Sequence, residues 1–215
     1  MKKFLLGLLD WIYKKKCYFC RRSNECVKMC SECYDKMDFL SVKINRVMES
    51  KKIYCCGVYS KELQKLIRGL KYHQQKDLAY YLAKFMYEYW TKITDDTGFE
   101  VVPVPLHSKR MKQRKYNHMH LVAEEFCKLS GHTLNPDLIK RVKDTKPQYK
   151  LTRKERIKNL SGAFEVDKTK YIGKKILLID DICTTGSTFE QMIREFEKHN
   201  ISDIVCLAAT TPFGE

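Results

Sequence analysis

Apolar positions along this chain fall into two rhythms. Ile53-Tyr-Cys-Cys-Gly-Val-Tyr59 is a short unbroken apolar run, which predicts a buried strand. Leu63, Leu66, Ile67 and Leu70 follow at helical spacing. Leu78, Leu82, Phe85, Met86 and Tyr89 predict a second helix over Asp77 to Lys92. A strand over Phe99 to Pro105 comes next, its end marked by prolines. A helix is expected near His118 to Leu129, a strand from Lys174 to Asp180, a helix from Phe189 to His199 and a last strand from Asp203 to Ala209. Strands alternating with helices predict an α/β fold with a mostly parallel sheet flanked by helices. Residues 34–52 read as a junction. The boundaries expected are 1–45 for an N-terminal helix and cysteine module, and 46–215 for the α/β domain.

The chain has 215 residues and a 44% hydrophobic fraction, enough for a real core. Its net charge is +15, which predicts anionic partners and says nothing about fold. The charge is local. Residues 107–158 hold 15 basic and 5 acidic side chains, whereas 171–215 hold 4 and 7. With Tyr116 and Tyr149 interleaved, the basic stretch suits single-stranded DNA, gripped by charge and stacking.

The opening MKKFLLGLLDWIYKKK has Phe4, Leu5, Leu8, Leu9 and Ile12 at helical spacing. It reads as a short helix packed on the next domain, with a membrane-surface anchor as the alternative. Its apolar run is too short for an export signal or a membrane span, so a cytoplasmic protein is expected. Disulfides are rare there. Cys17-x2-Cys20 and Cys30-x2-Cys33 therefore read as two knuckles closing a four-thiolate site. Zn²⁺ is the expected ion and an iron–sulfur cluster the alternative. Cys26 is a spare, and Cys55, Cys56, Cys127 and Cys206 read as core.

The most specific stretch is Ile176-Leu-Leu-Ile-Asp180-Asp181-Ile-Cys183-Thr184-Thr185-Gly186-Ser187-Thr188. An apolar strand delivers two carboxylates to a sheet edge. A loop of small and hydroxyl residues then runs into a helix. Backbone N–H groups, hydroxyls and a helix N-terminus suit a phosphate, and Gly186 allows close approach. Asp180 and Asp181 suit ribose hydroxyls or Mg²⁺. Ligands of open α/β sheets bind at this edge.

This stretch resembles the phosphoribosyl pyrophosphate (PRPP) motif of type I phosphoribosyltransferases. Val102-Pro-Val-Pro-Leu-His107, Arg110 and Arg114-Lys-Tyr-Asn117-His resemble the ComF (ComFC) competence family, whose second stretch is typically Arg-Gly-Phe-Asn-Gln. Lys115 stands at the glycine position and His118 at the glutamine position. Leu66-Ile-Arg-Gly-Leu-Lys-Tyr72, the run from Gln148 through Arg156 and Asn159 to Phe164, and the four cysteines match too. The resemblance spans about residues 10–212. It implies a phosphoribosyltransferase-like fold with a zinc-ribbon-like module, and a role in natural transformation beside a helicase-like partner.

It further implies binding of PRPP with Mg²⁺ and, if the site turns over, displacement of pyrophosphate from C1. Asp180 and Asp181 would hold ribose and metal, and Thr184, Thr185, Gly186, Ser187 and Thr188 the 5′-phosphate. His107, Arg110 and Arg114 would meet pyrophosphate, with Arg153 and Arg156 closing over the site. Thr184 stands where some purine-salvage members carry an aspartate, and threonine is no general base at neutral pH. Cys183 reads as an apolar filler, and no residue nominates an acceptor. The alternative is a catalytically inactive adaptor that uses the fold and basic surface to hold single-stranded DNA or the helicase partner.

Overall fold

The structure is a computed structural model that describes residues 16–22, 28–42, 46–48, 51–144 and 160–212. The expected N-terminal helix, Cys26, Tyr149, Arg153 and Arg156 lie outside the described residues.

Among the described residues eight strands are seen: β1 (Arg46–Met48), β2 (Lys51–Val58), β3 (Phe99–Pro103), β4 (Thr133–Leu134), β5 (Ile139–Arg141), β6 (Phe164–Val166), β7 (Lys175–Ile182) and β8 (Ile204–Thr211). The α-helices are α1 (Ser31–Tyr34), α2 (Lys61–Tyr72), α3 (Leu78–Trp90), α4 (Ser108–Arg114), α5 (His118–Ser130) and α6 (Ser187–Glu197). Six strands form one sheet in the order β1-β2-β8-β7-β3-β4. β1 is antiparallel to β2, and every other pairing in that sheet is parallel. β5 and β6 form a separate antiparallel ribbon.

Parallel strands are covered on both faces, so they read as continuous apolar runs. Leu177, Ile179, Leu207 and Ala209 pack toward α2, α3 and α5. Ile176, Leu178, Cys206 and Ala208 pack toward α6 and the β5–β6 ribbon. Ser60 begins α2 by accepting from the Leu63 N–H, and Asn117 begins α5 by accepting from the Met119 N–H. Cys55, Cys56 and Cys206 are buried and Cys127 is half-buried, all without disulfides.

Several expected boundaries shift. β7 runs on through Asp181 to Ile182, so both acids lie within the strand. Asp180 pairs in register with Ala208 and Ile182 with Thr210. α6 begins at Ser187, two residues before the expected Phe189. β3 stops at Pro103, although the Val104 N–H still donates to the Ile179 carbonyl at 3.0 Å. The stretch read as a junction carries structure. β1 lies within it, the Leu40 N–H donates to the Cys56 carbonyl at 2.8 Å, and Phe39 bridges to Gly57. A Cβ at Gly57 would stand 2.8 Å from the Asp38 carbonyl oxygen and 2.9 Å from the Phe85 ring, so only glycine lets the chain cross there. Among the described residues, no helix is long and apolar enough to cross a membrane.

A polar cluster sits inside one face. Trp90 Nε1–H donates to His132 Nε2 at 3.0 Å, and His132 Nδ1 meets the Thr97 carbonyl at 3.0 Å. His132 is therefore held neutral, with Nδ1–H donating to Thr97. Burial depresses its pKa. The unfolded imidazole takes a proton near pH 6.5, whereas the folded one does so only at lower pH. The contribution of His132 is thus present above about pH 6.5 and is lost as pH falls toward the folded value. His132→Gln is expected to lose stability less steeply than wild type on acidification below 6.5, measured by urea denaturation at a series of pH values. Parallel slopes would contradict this.

Candidate functional site

Successive residues of a strand point to opposite faces. β7 therefore separates its two acids. Asp181 turns toward α2 and α5 and is 4% exposed. Its Oδ2 lies 2.5 Å from Lys71 Nζ, in the last turn of α2, and 2.5 Å from His118 Nε2, at the start of α5. Burial alone would raise the Asp181 pKa, but the Lys71 charge and the His118 contact outweigh it and hold the carboxyl well below its usual range. Burial depresses the His118 pKa, so a neutral ring donates Nε2–H to Asp181. Its buried Nδ1 has no hydrogen-bond partner among the described residues.

Asp180 turns the other way and lines a pocket with Ile182, Cys183 and residues Thr184 to Phe189. Its Oδ1 accepts from the Asp181 N–H at 2.9 Å. Burial, then the charge of Asp181, pushes its pKa up to about 8. Gly186 caps α6 at φ +79°, a left-handed conformation that glycine takes without strain. The cap residue Gly186 has no side chain to offer the first N–H groups of α6, and Thr185 Oγ1 accepts from the Ser187 N–H at 3.4 Å, so the helix start borders this pocket. Thr185 Oγ1 and Ser187 Oγ meet at 2.7 Å and brace the turn. The sheet edge is tied shut beside it, where the Cys183 N–H donates to the Thr210 carbonyl at 2.8 Å. Thr184, Thr185, Gly186, Ser187 and Thr188 thus surround one small polar pocket, and Cys183 is buried.

The loop after β3 supplies the cations. His107 caps α4 by accepting from the Lys109 N–H, and its Nδ1 lies 3.5 Å from Asp144. Lys109 reaches the same carboxylate at 2.6 Å. Arg110 acts electrostatically on Asp144 and on Arg141, the last residue of β5. Arg114 is half-buried, its guanidinium 5.2 Å from the centre of the Tyr72 ring. Lys115 closes α4 at φ +68°, which explains why the resembling stretch has glycine there. Tyr116, expected to stack on DNA, is only 8% exposed and donates its hydroxyl to the Leu70 carbonyl at 2.5 Å. The exposed aromatic beside it is Tyr72, 63% exposed.

The sequence reading missed Lys71, Arg141 and Asp144. Lys71 carried one signal, a charge directly after the last buried position of an apolar helical stripe.

The four cysteines Cys17, Cys20, Cys30 and Cys33 converge, with all sulfurs within 4.8 Å of one another. Cys20 and Cys30 Sγ are 3.8 Å apart, about the edge of a tetrahedron built on Zn–S bonds of ~2.3 Å. Burial would raise the Cys17 thiol, but the backbone N–H groups of Cys20, Cys30 and Phe19 bring it down to about 6. Burial and the neighbouring thiols push Cys33 up to about 12. Such a set gives up its protons together when a cation binds, so the donors fit a metal ion.

A phosphoribosyl transferase domain model matches residues 116–211. "Competence protein F" of Haemophilus influenzae is 26% identical over 203 residues, covering 87% of this chain and 86% of that protein. "Competence protein ComFC" of Bacillus subtilis is 24% identical over 172 residues, covering 80% and 67%. Over most of its length the chain is similar to these ComF proteins. "DNA utilization protein YhgH" of Salmonella typhimurium is similar too, 24% identical over 205 residues and 90% of each chain. Like a phosphoribosyltransferase domain with an added module, the chain joins a mostly parallel sheet to a four-cysteine cluster near its N-terminus. The matched domain takes in His118, both acids and the whole pocket loop.

Proposed function

We propose that this protein binds PRPP at the C-terminal edge of its parallel sheet and serves competence, the process for which two of its relatives are named. The observation that carries this reading is the joining of Asp180 to the Thr184–Thr188 loop in one pocket at a helix start whose cap residue is glycine. The loop takes the 5′-phosphate through backbone N–H groups and hydroxyls. Asp180 takes the ribose hydroxyls. Asp181 serves the site from behind, fixing Lys71 and His118 where α2 and α5 meet β7. His107 and Arg110 face the pyrophosphate side.

Mg²⁺ would arrive with PRPP, with Asp180 as the acid at hand to hold it, and would spread the negative charge of the leaving pyrophosphate. The protein's own part is orientation, exclusion of water and the supply of fixed cations. Thr184 offers no base to an incoming nucleobase, so an acceptor must bring its own nucleophile. The four thiolates hold a structural Zn²⁺, a site that lasts in the reducing cytoplasm, where we place the protein.

A second reading keeps the same fold as a platform for single-stranded DNA or a helicase-type partner. The exposed Tyr72 ring, with Arg114 stacked on it at the same edge, favours DNA contact there. Calorimetric titration with PRPP, with and without Mg²⁺, tests the first reading. At about pH 9, above the raised Asp180 pKa of about 8, wild type is expected to bind, and Asp180→Asn to bind at least about tenfold more weakly, the size of one lost charge-assisted contact. Pyrophosphate release in the same cell separates an enzyme from a platform. An Asp180→Asn protein that binds as wild type does removes the site assignment.

A further inference from the structure

The last turn of α2 is built against its own propensity. Gly69 stands three residues before the end of the helix, where a glycine disfavours the helical state by up to about 1 kcal/mol relative to alanine. A larger residue meets its neighbours there. A Cβ at position 69 would lie 2.5 Å from Leu78 Cδ1, 3.2 Å from the Tyr18 hydroxyl oxygen and 3.3 Å from the Tyr18 ring. Helix propensity is thus given up so that Tyr18 can lie against the backbone of α2. The Tyr18 hydroxyl also meets His73 Nδ1 at 2.8 Å. His73 caps the helix through its N–H to the Gly69 carbonyl at 3.2 Å, and the Gln75 N–H shares that carbonyl at 3.2 Å. Tyr18 therefore touches both ends of the turn from Gly69 to His73.

Each side of this turn leads to a site. Tyr18 follows Cys17, whose sulfur accepts from the Phe19 and Cys30 N–H groups at 3.4 and 3.5 Å. The Tyr18 N–H donates to the Lys28 carbonyl at 2.9 Å. The ring is therefore placed by the knuckles that carry the four thiolates. On the other side, Lys71 of the same turn holds Asp181, and the Asp181 N–H orients the Asp180 carboxylate in the pocket. Contacts in an unbroken series join the cysteine cluster to the acid of the phosphate loop. The weak turn in the middle is the element that both sites can order.

We infer that metal binding at the four thiolates and PRPP binding at the sheet edge are coupled through the last turn of α2, so that each ligand tightens the hold on the other. A ligand at either site fixes the turn, and the second ligand then binds a turn already ordered. Such coupling is reciprocal by thermodynamic necessity. Capture of PRPP is thereby made conditional on a filled cysteine cluster. This inference rests on the PRPP reading above.

The test measures Zn²⁺ affinity of the full chain by competition with a chromogenic chelator, in Mg²⁺ alone and in Mg²⁺ with saturating PRPP. Wild type is expected to hold Zn²⁺ at least about fivefold more tightly with PRPP, the lower end for coupled sites. Tyr18→Leu removes the ring and the hydroxyl. It is expected to keep Zn²⁺, to show a PRPP effect within about twofold of none, and to bind PRPP about fivefold more weakly when loaded. Tyr18→Phe keeps the ring against Gly69 and is expected to retain part of the coupling, which also serves should Tyr18→Leu fail to fold. If wild type binds no PRPP, the reading of the site fails, and this inference with it. If wild type binds PRPP and its Zn²⁺ affinity does not change, the inference alone fails. Full coupling in folded Tyr18→Leu, or in Tyr18→Phe where Tyr18→Leu does not fold, overturns it as well, because the link then runs through the fold as a whole and not through Tyr18.

Discussion

Lys71→Met is expected to destabilise the fold by about 3–5 kcal/mol, the range for removing one partner of a buried ion pair. In a chain of this size that corresponds to roughly 10 °C or more in melting temperature. The reason is what the variant leaves behind. Asp181 is almost wholly buried, and the remaining contact on its Oδ2 comes from a neutral His118. A carboxylate there without Lys71 must stay charged in apolar surroundings or take up a proton. Because Asp181 is held below its ordinary pKa, its contribution is present above about pH 4, near the unfolded value, and is lost as acid titrates it. The variant therefore also flattens the acid limb of the stability curve. Adding Asp181→Asn to Lys71→Met removes the stranded charge and is expected to recover most of the loss. Chemical denaturation of the two single variants and the double variant reads this directly. A Lys71→Met cost below about 1 kcal/mol, as for a surface pair, would contradict it.

Removing the Zn²⁺ proposed for the four thiolates is expected to have an effect at least as large. Structural zinc contributes on the order of 10 kcal/mol of apparent folding free energy in isolated fingers. Here the loss would spread. Cys17, Met29 and Cys33 share one core cluster with Leu66, Leu70 and Leu78. The Tyr18 hydroxyl meets His73 Nδ1 at 2.8 Å, and Lys65 Nζ donates to the Phe19 carbonyl at 2.9 Å. Both partners belong to α2 or its end, and that end carries Lys71 to Asp181. A chelator is thus expected to lower the main unfolding transition of the whole chain and to weaken PRPP binding in parallel. Scanning calorimetry with a colorimetric assay of released metal measures both. Two separate transitions, the second at the temperature of the metal-loaded protein, would show that the cysteine module stands alone.

The acids and the pocket loop were legible because the chemistry is contiguous, with strand, carboxylates, hydroxyls and helix start within 13 residues. The four cysteines were legible through their spacing. The partners of Asp181 were not, because Lys71 and His118 lie 110 and 63 positions away and meet it only through the strand order. β1, β4, β5 and β6 have two or three residues each, too few for a periodicity to show. Arg141 hid for a related reason, since one arginine in a basic run looks like any other until the ribbon buries it. Tyr116 misled in the opposite sense. Its basic neighbours suggested an exposed ring, yet the turn after α4 swings it inward onto the Leu70 carbonyl.

The strand order has a consequence for biosynthesis. β2 touches the rest of the parallel sheet only through β8, which lies between it and β7. β8 is also the latest of the described strands to leave the ribosome. Until residues 204–211 emerge, the half carrying β2 and the half carrying β3 and β7 share no backbone ladder. The thiolate cluster, leaning on the helix that follows β2, waits on the same event. The parallel sheet is therefore expected to close only once β8 has emerged, with the cysteines made long before it held open to metal, or to oxidation, until then.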